Sequence, residues 1–126
     1  MPQSVKGGKW VFGWVLVQAG KKITVPPEAY REYGFQASGE IVFTCGSRRS
    51  GGFGIGRADK IPALLSKRVL AQGYMGKRGR VVLPPEVGVQ VGDRLLVVRG
   101  SGYALGFLAY GPIYAAALQH SELAVF

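Results

Sequence analysis

Basic side chains are concentrated in two short stretches that share one order of residue types. The first is residues 20–28 (GKKITVPPE) and the second is residues 77–86 (KRGRVVLPPE). In each, cations and a glycine form a turn, a short apolar strand follows, and two prolines end that strand because proline fixes φ and lacks an N–H donor. Lysine and arginine bind phosphate, and arginine can also contact guanine through two hydrogen bonds. These stretches therefore indicate a site for a polyanion.

The two stretches align without a gap, and the similarity continues beyond them. Placing Pro26 on Pro84 pairs Lys22 with Arg80, Ile23 with Val81, Val25 with Leu83, and Glu28 with Glu86. Farther along, residues 34–40 resemble residues 88–93 with one residue fewer, and residues 51–56 match residues 101–106 position by position. We interpret the chain as one domain, residues 1–126, that consists of two repeats: a first half at 9–66 and a second half at 67–126.

Apolar runs and turn residues predict a mainly β protein with short helices. Strands are predicted at 10–17, 23–25, 41–45, 53–56, 69–75, 81–83, 94–98 and 103–108, and helices at 28–33, 59–67 and 111–120. Twenty glycines and seven prolines in 126 residues favour hairpins and tight turns. Because each half has too few strands to be stable alone, we expect the two halves to close one shared barrel around a pseudo-twofold axis.

The charge balance limits the class of partner without choosing it. Sixteen Lys and Arg against seven Asp and Glu give a net charge of +9, which favours polyanionic partners. Nucleic acid and an anionic membrane surface both fit that charge. The apolar run at 10–17 is too short to span a bilayer and residues 1–9 do not resemble a signal peptide, so we expect a cytoplasmic protein.

The residues that most often carry catalysis or bind cofactors lack companions in this sequence. Cys45 is the single cysteine and His120 the single histidine. The glycine spacing at 51–56 is not followed by the Lys-Ser/Thr pair of a phosphate loop. We therefore expect no enzyme, no cofactor and no metal site. Two further sets stay open: Trp10, Phe12 and Trp14 as core or as a base-stacking platform, and Arg48 with Arg49 as a solvated hairpin tip or a contact surface.

A family resemblance enters at residues 79–86 (GRVVLPPE) followed by residues 91–98 (VGDRLLVV). This order resembles the AbrB/SpoVT/MazE group, whose domain reads as Gly-Arg, three apolar residues, Pro, a short helix, a Gly-Asp turn and a hairpin. The resemblance covers roughly 67–111 well and 14–57 more weakly. It implies a swapped-hairpin (AbrB-like) β-barrel, which in the family is formed by interlocking hairpins of two chains and here by two tandem halves of one chain.

The resemblance also implies a function, which is binding of double-stranded DNA in transcription regulation. The DNA-binding positions that it carries over are Lys21, Lys22, Arg31, Lys77, Arg78 and Arg80. Two departures make the face asymmetric: the second half has nearly lost its helix, and Lys22 stands where the motif usually has Arg. The alternatives are an antitoxin-like protein-interaction module and a binder of RNA or of nucleic acid without sequence preference. The pseudo-dimer can in addition pair again as a homodimer.

Overall fold

A computed structural model of the protein describes residues 3–4, 10–37, 39–47, 51–100 and 103–126. The fold is mainly β, as expected. The strands are β1 (Gln3–Ser4), β2 (Trp10–Leu16), β3 (Lys22–Thr24), β4 (Glu40–Ser47), β5 (Gly51–Arg57), β6 (Val69–Tyr74), β7 (Arg80–Val82), β8 (Arg94–Val98) and β9 (Ala104–Leu108). The α-helices are α1 (Pro27–Glu32) and α2 (Pro112–Ala117), and short 3₁₀ helices occur at Phe35–Ala37, Ala63–Arg68, Lys77–Gly79 and Pro85–Val87.

Strands from the two halves are interleaved rather than separate. The large sheet has the order β1-β2-β8-β9-β5-β4-β6, and β3 pairs with β7 in a two-stranded sheet of its own. All of these pairs are antiparallel. The first long strand of each half therefore lies beside the third strand of the other half, and the sheet is held together across the halves.

The large sheet is open, so the expected closed barrel is not observed. Its two edges are β1 and β6. The strands β3 and β7 pair only with each other, so no described strand joins one edge of the sheet to the other. The edge strands that a closed barrel would have removed are consequently present in this molecule.

In two strand pairs, aligned residues of the two halves face each other. In the small sheet Ile23 faces Val81, its aligned residue. In the large sheet Ile55 faces Leu105, again its aligned residue. The β2–β8 and β6–β4 pairs join equivalent strands with registers that differ by one residue of the alignment: Leu16 faces Arg94, whereas Tyr74, which aligns with Leu16, faces Glu40, which aligns with Asp93. Both of these pairs also contain a register shift, between Val11 and Gly13 in one and between Phe43 and Thr44 in the other.

The core lies between the two sheets and joins the halves. Phe53 and Phe107 stack at its centre, with ring centroids 4.8 Å apart and planes inclined by 9°. Phe12 belongs to this buried cluster, together with Ile23 and Val81. Burial of such aromatic rings is a large part of the apolar area that the fold removes from water.

A second apolar cluster covers the opposite face of the large sheet near β2. Trp14 packs there against α2 and the C-terminal residues, with the Tyr114 ring edge-on at 5.0 Å. Leu123 and Ala117 complete it. For Phe12 and Trp14 the core interpretation is therefore confirmed and the base-stacking interpretation is wrong, because both rings are buried. The side chain of Trp10 lies outside the described residues.

The helices are short and begin at prolines. α1 starts at Pro27, carries Glu28 in its first turn, and is followed by Gly34 in the left-handed region at φ +68°. The helix expected at 59–67 is a 3₁₀ helix at Ala63–Arg68, and the second-half counterpart of α1 is a single 3₁₀ turn. Within the described ranges, no helix has the length and apolar character needed to cross a membrane.

Candidate nucleic-acid interface

The small sheet, β3 with β7, is a two-stranded ribbon with one face in the core and the other in solvent. Ile23 and Val81 face each other and are buried, with Val81 only 2 % exposed. Because side chains alternate along a strand, their neighbours Lys22 and Arg80 project from the opposite face, where both are exposed. The register pairs Lys22 with Val82 and Arg80 with Thr24. The two cations are thus diagonal neighbours, with Cα atoms about 7–8 Å apart.

Each strand of the ribbon is preceded by a basic turn with an unusual backbone. Two consecutive residues have positive φ in both turns: Gly20 (81°) and Lys21 (56°) in the first, Arg78 (61°) and Gly79 (80°) in the second. A left-handed backbone at consecutive residues reverses the chain sharply, and glycine adopts it at little steric cost. The Gln18 N–H donates to the Lys22 carbonyl at 2.8 Å, and the Gly76 N–H donates to the Arg80 carbonyl at the same distance.

Hydrogen bonds between the strands place the two turns at opposite ends of the ribbon. The Leu83 N–H donates to the carbonyl of Lys21, and the Val25 N–H donates to the carbonyl of Gly79, both at 2.8 Å. Lys21 and Val25 are four residues apart on one strand, so the turns are separated by roughly 13 Å along the ribbon. The basic turns therefore flank the outer face that carries Lys22 and Arg80.

Acidic residues neutralise other parts of the protein. Arg99 binds Glu32 through two hydrogen bonds of 2.6 Å, and Arg57 binds Asp59 at 2.9 and 2.6 Å. These contacts raise the pKa of Arg99 and lower the pKa of Asp59, chiefly through the hydrogen bonds themselves. Within the part of the chain that the structure describes, none of the six predicted DNA-binding cations forms an ion pair. Their charge remains available to an outside anion.

Arg31 differs in position from the other five predicted residues. It is exposed in the last turn of α1, a helix that packs against the second basic turn. It lines a 240 Å³ pocket together with Phe12, Glu28 and Phe126. The structure therefore brings five of the predicted cations to one ribbon and its turns, and places Arg31 on the helix beside it.

The outer face of the ribbon also contains a residue that the sequence analysis missed. Val82 is 60 % exposed and faces Lys22 across the ribbon. Val82 is apolar like Val81 and Leu83 on either side of it, which are buried. Residue type alone therefore does not distinguish it from a core residue. The signal that could have identified it is the alternation within β7, where a basic residue at position 80 predicts that position 82 shares its face.

A larger pocket of 530 Å³ lies away from the ribbon, where α1, β5 and β8 end. Its lining includes Tyr33, Arg57, Lys60 and Arg99. Burial, with a smaller contribution from the nearby Glu32 carboxylate, raises the pKa of Tyr33 to about 12. Both arginines of this pocket are already bound to carboxylates, so its cationic character is weaker than that of the ribbon.

The remaining candidates from the sequence have ordinary surroundings. His120 Nδ1 lies 2.7 Å from Glu122 Oε1, and no group of three metal-binding side chains is found among the described residues. Cys45 is a half-buried residue of β4. Arg48 and Arg49 lie outside the described residues, so their interpretation stays a prediction.

Comparison with known proteins adds no relative. No protein-family model matches this chain, and no curated protein matches it. The geometry and charge of the ribbon are therefore the features that indicate a function.

Proposed function

We propose that this protein binds double-stranded DNA through the outer face and the two basic turns of the β3–β7 ribbon, and that it acts in transcription regulation. The observation that carries the proposal is the exposure of Lys22 and Arg80 on that face, where neither has an acidic partner among the residues that the structure describes. The major groove of B-DNA is about 12 Å wide and admits a two-stranded β-ribbon. The separation of the two turns, roughly 13 Å, suits contacts to the phosphates on both sides of the groove.

The arrangement of the strands supports a swapped-hairpin origin of this ribbon. We propose that the chain is a tandem fusion of two AbrB-like halves, in which each half contributes one strand to the ribbon. The register pairs Ile23 with Val81 and Ile55 with Leu105, which are aligned residues in the two halves. An axis that relates the halves would pass through both pairs and would exchange the two basic turns.

The cations on this face have different tasks in the proposal. Lysine is a compact point charge suited to phosphate, so Lys21, Lys22 and Lys77 hold the DNA backbone. Arg80 can bind guanine through two hydrogen bonds, and Val82 can contact the methyl group of thymine. Since Lys22 replaces arginine in the first half, the two ends of the ribbon read DNA unequally. Arg31 contributes on the side of the second turn, against which its helix packs.

Fluorescence anisotropy of a labelled random duplex over a range of salt concentrations tests the proposal. Five phosphate contacts, from the proposed cations other than Arg80, would give a slope of log K against log salt of about −4.5. The double variant Lys22→Ala with Arg80→Ala should bind more weakly at low salt, and loss of the Lys22 contact should reduce the magnitude of the slope by about 1.

The matched control removes the same charge elsewhere. Lys60 and Lys67 are exposed and lie outside the ribbon. The double variant Lys60→Ala with Lys67→Ala should bind DNA almost as tightly as the natural chain. Equal losses from the two double variants would show that net charge, and not the ribbon, governs binding. Tighter binding of an RNA than of the duplex would instead favour the RNA-binding alternative.

A further inference from the structure

The large sheet differs at its two ends in what pairs with the outer side of β2 and with the outer side of β6. On β2, the Trp14 N–H donates to the Ala124 carbonyl at 2.8 Å, and the Phe126 N–H donates to the Trp14 carbonyl at 2.7 Å. β1 pairs with the beginning of the same strand. β6 has the corresponding place at the other end of the sheet. Among the described residues, no strand or terminal segment pairs with its outer side.

The outer side of β6 presents backbone donors and acceptors that are not used within the sheet. The Met75 N–H donates to the Gly39 carbonyl at 2.7 Å, so this facing pair is hydrogen-bonded. Facing pairs in an antiparallel ladder alternate between hydrogen-bonded and non-hydrogen-bonded. Gly73 therefore directs its N–H and C=O toward β4, while Gln72 and Tyr74 direct theirs outward.

The side chains of β6 lack the features that usually protect an edge. The strand, VLAQGY, contains neither a charge nor a proline, which exposed edge strands of natural proteins commonly carry. Its irregularity is at Leu70, where the register with β4 shifts by one residue. Leu70, Gln72 and Tyr74 are exposed on one face of the strand, and Tyr74 is 74 % exposed. An uncharged edge with exposed apolar side chains is suited to pairing with another strand.

The order of these side chains fits β6 of a second copy. If two β6 strands pair antiparallel about Gln72, each Gln72 faces the other, and Leu70 of one copy faces Tyr74 of the second copy. Aromatic–aliphatic pairs across two strands stabilise a sheet by roughly 0.2–1 kcal/mol each. The outward N–H and C=O groups of Gln72 then form the hydrogen-bonded pair at the centre.

We propose that β6 is a homodimer interface, through which two copies of the chain join edge to edge into one continuous sheet. Dimerisation through β6 does not require DNA binding. The dimer should respond to salt in the opposite direction from DNA binding, because each copy carries a net charge of +9 and salt screens the repulsion between the copies. Added salt should strengthen the dimer, whereas it weakens contacts to phosphate.

Sedimentation velocity of the full chain, over a range of protein and salt concentrations, tests this interface. The natural chain should show a monomer–dimer equilibrium that shifts toward dimer as salt rises. Tyr74→Lys should abolish the dimer, because it places a charge on the pairing edge. Leu16→Lys is the matched control: Leu16 has the corresponding position on β2, is 41 % exposed, and should leave the dimer intact. Far-UV circular dichroism establishes that both variants are folded.

Cross-linking tests the register independently of stability. In a Cys45→Ser background, Gln72→Cys should form an oxidised dimer, since directly facing Cα atoms lie about 5.5 Å apart and a disulfide spans that distance. Leu70→Cys should not, because its two copies would be about 13 Å apart along the strands. A monomer at every concentration, a dimer that survives Tyr74→Lys, or equal cross-linking at the two positions would each overturn the proposal.

Discussion

At the scale of single residues, the most informative feature is the backbone of the two basic turns. Lys21 and Arg78 are the non-glycine residues with positive φ among the described ones. For an L-residue this conformation costs roughly 1–2 kcal/mol. Such strain persists only where the surroundings hold it, and it is often found at functional sites. In this ribbon it occurs in two three-residue loops, one between Gln18 and Lys22 and one between Gly76 and Arg80, and it keeps the turn cations next to the outer face.

The glycines of these turns differ in how closely they approach the opposite strand. A Cβ atom on Gly79 would lie 2.9 Å from the Val25 carbonyl oxygen, whereas one on Gly20 would come no closer than 3.5 Å to Lys22. We therefore expect Gly79→Ala to lower the free energy of unfolding by about 1–3 kcal/mol, and Gly20→Ala by less. Urea unfolding of both variants measures the difference. Equal losses would mean that the close approach at Val25 has no energetic effect.

At the scale of elements, the two faces of the ribbon have different tasks: the inner face packs in the core, and the outer face is the one proposed to bind DNA. Adjacent valines of β7 show the separation: Val81 is 2 % exposed and Val82 is 60 % exposed. Replacing Val81 by alanine therefore tests the packing of the core, and replacing Val82 by alanine tests the outer face.

The expected results differ accordingly. Val81→Ala should lower the free energy of unfolding by about 2 kcal/mol, through lost burial and the cavity left behind. Val82→Ala should change it by less than about 0.5 kcal/mol. Thermal or urea denaturation provides the comparison. A large destabilisation by Val82→Ala would indicate that the outer face of the ribbon is covered in solution.

The helix α1 is the element in which the two halves differ most. Its end is held by stacking of Tyr33 on Phe35, with centroids 6.0 Å apart, and by the ion pair of Glu32 with Arg99 from the second half. The corresponding segment of the second half, Pro85–Val87, is a single turn. The proposed DNA-binding face, which includes Arg31 of α1, is therefore asymmetric even though the ribbon is built from two similar strands.

At the scale of the whole molecule, the interleaved strands predict that the two halves unfold together. Both tryptophans belong to the first half, and Trp14 lies on β2, which pairs with β8 of the second half. Tryptophan fluorescence and far-UV circular dichroism should consequently give one common unfolding midpoint.

A core substitution in the second half makes that prediction stricter. Leu105 is buried and faces Ile55 of the first half. Leu105→Ala should lower the free energy of unfolding by about 2–5 kcal/mol and should move the midpoints of both probes equally. If the fluorescence midpoint stayed in place while the circular dichroism midpoint fell, the halves would be independent folding units.

Much of the local structure could be predicted because it depends on residues close in sequence. The prolines at 26–27 and 84–85 end β3 and β7, Pro27 and Pro112 begin the two α-helices, and glycines occur at the turns. The repeated order of residue types also predicted two basic turns that begin equivalent strands. These features follow from φ restriction, the missing proline N–H, and side-chain alternation, which act within a few residues.

The tertiary structure alone determined which strands meet and which surfaces remain open. The pairing of β3 with β7 and the open edge at β6 depend on contacts between residues far apart in the chain, which no local pattern encodes. The same contacts turn Val82 outward and bury Val81. The sequence by itself thus determined where cations and turns occur. Packing between the halves decided that the cations share one ribbon and that one sheet edge stays unpaired within the described chain.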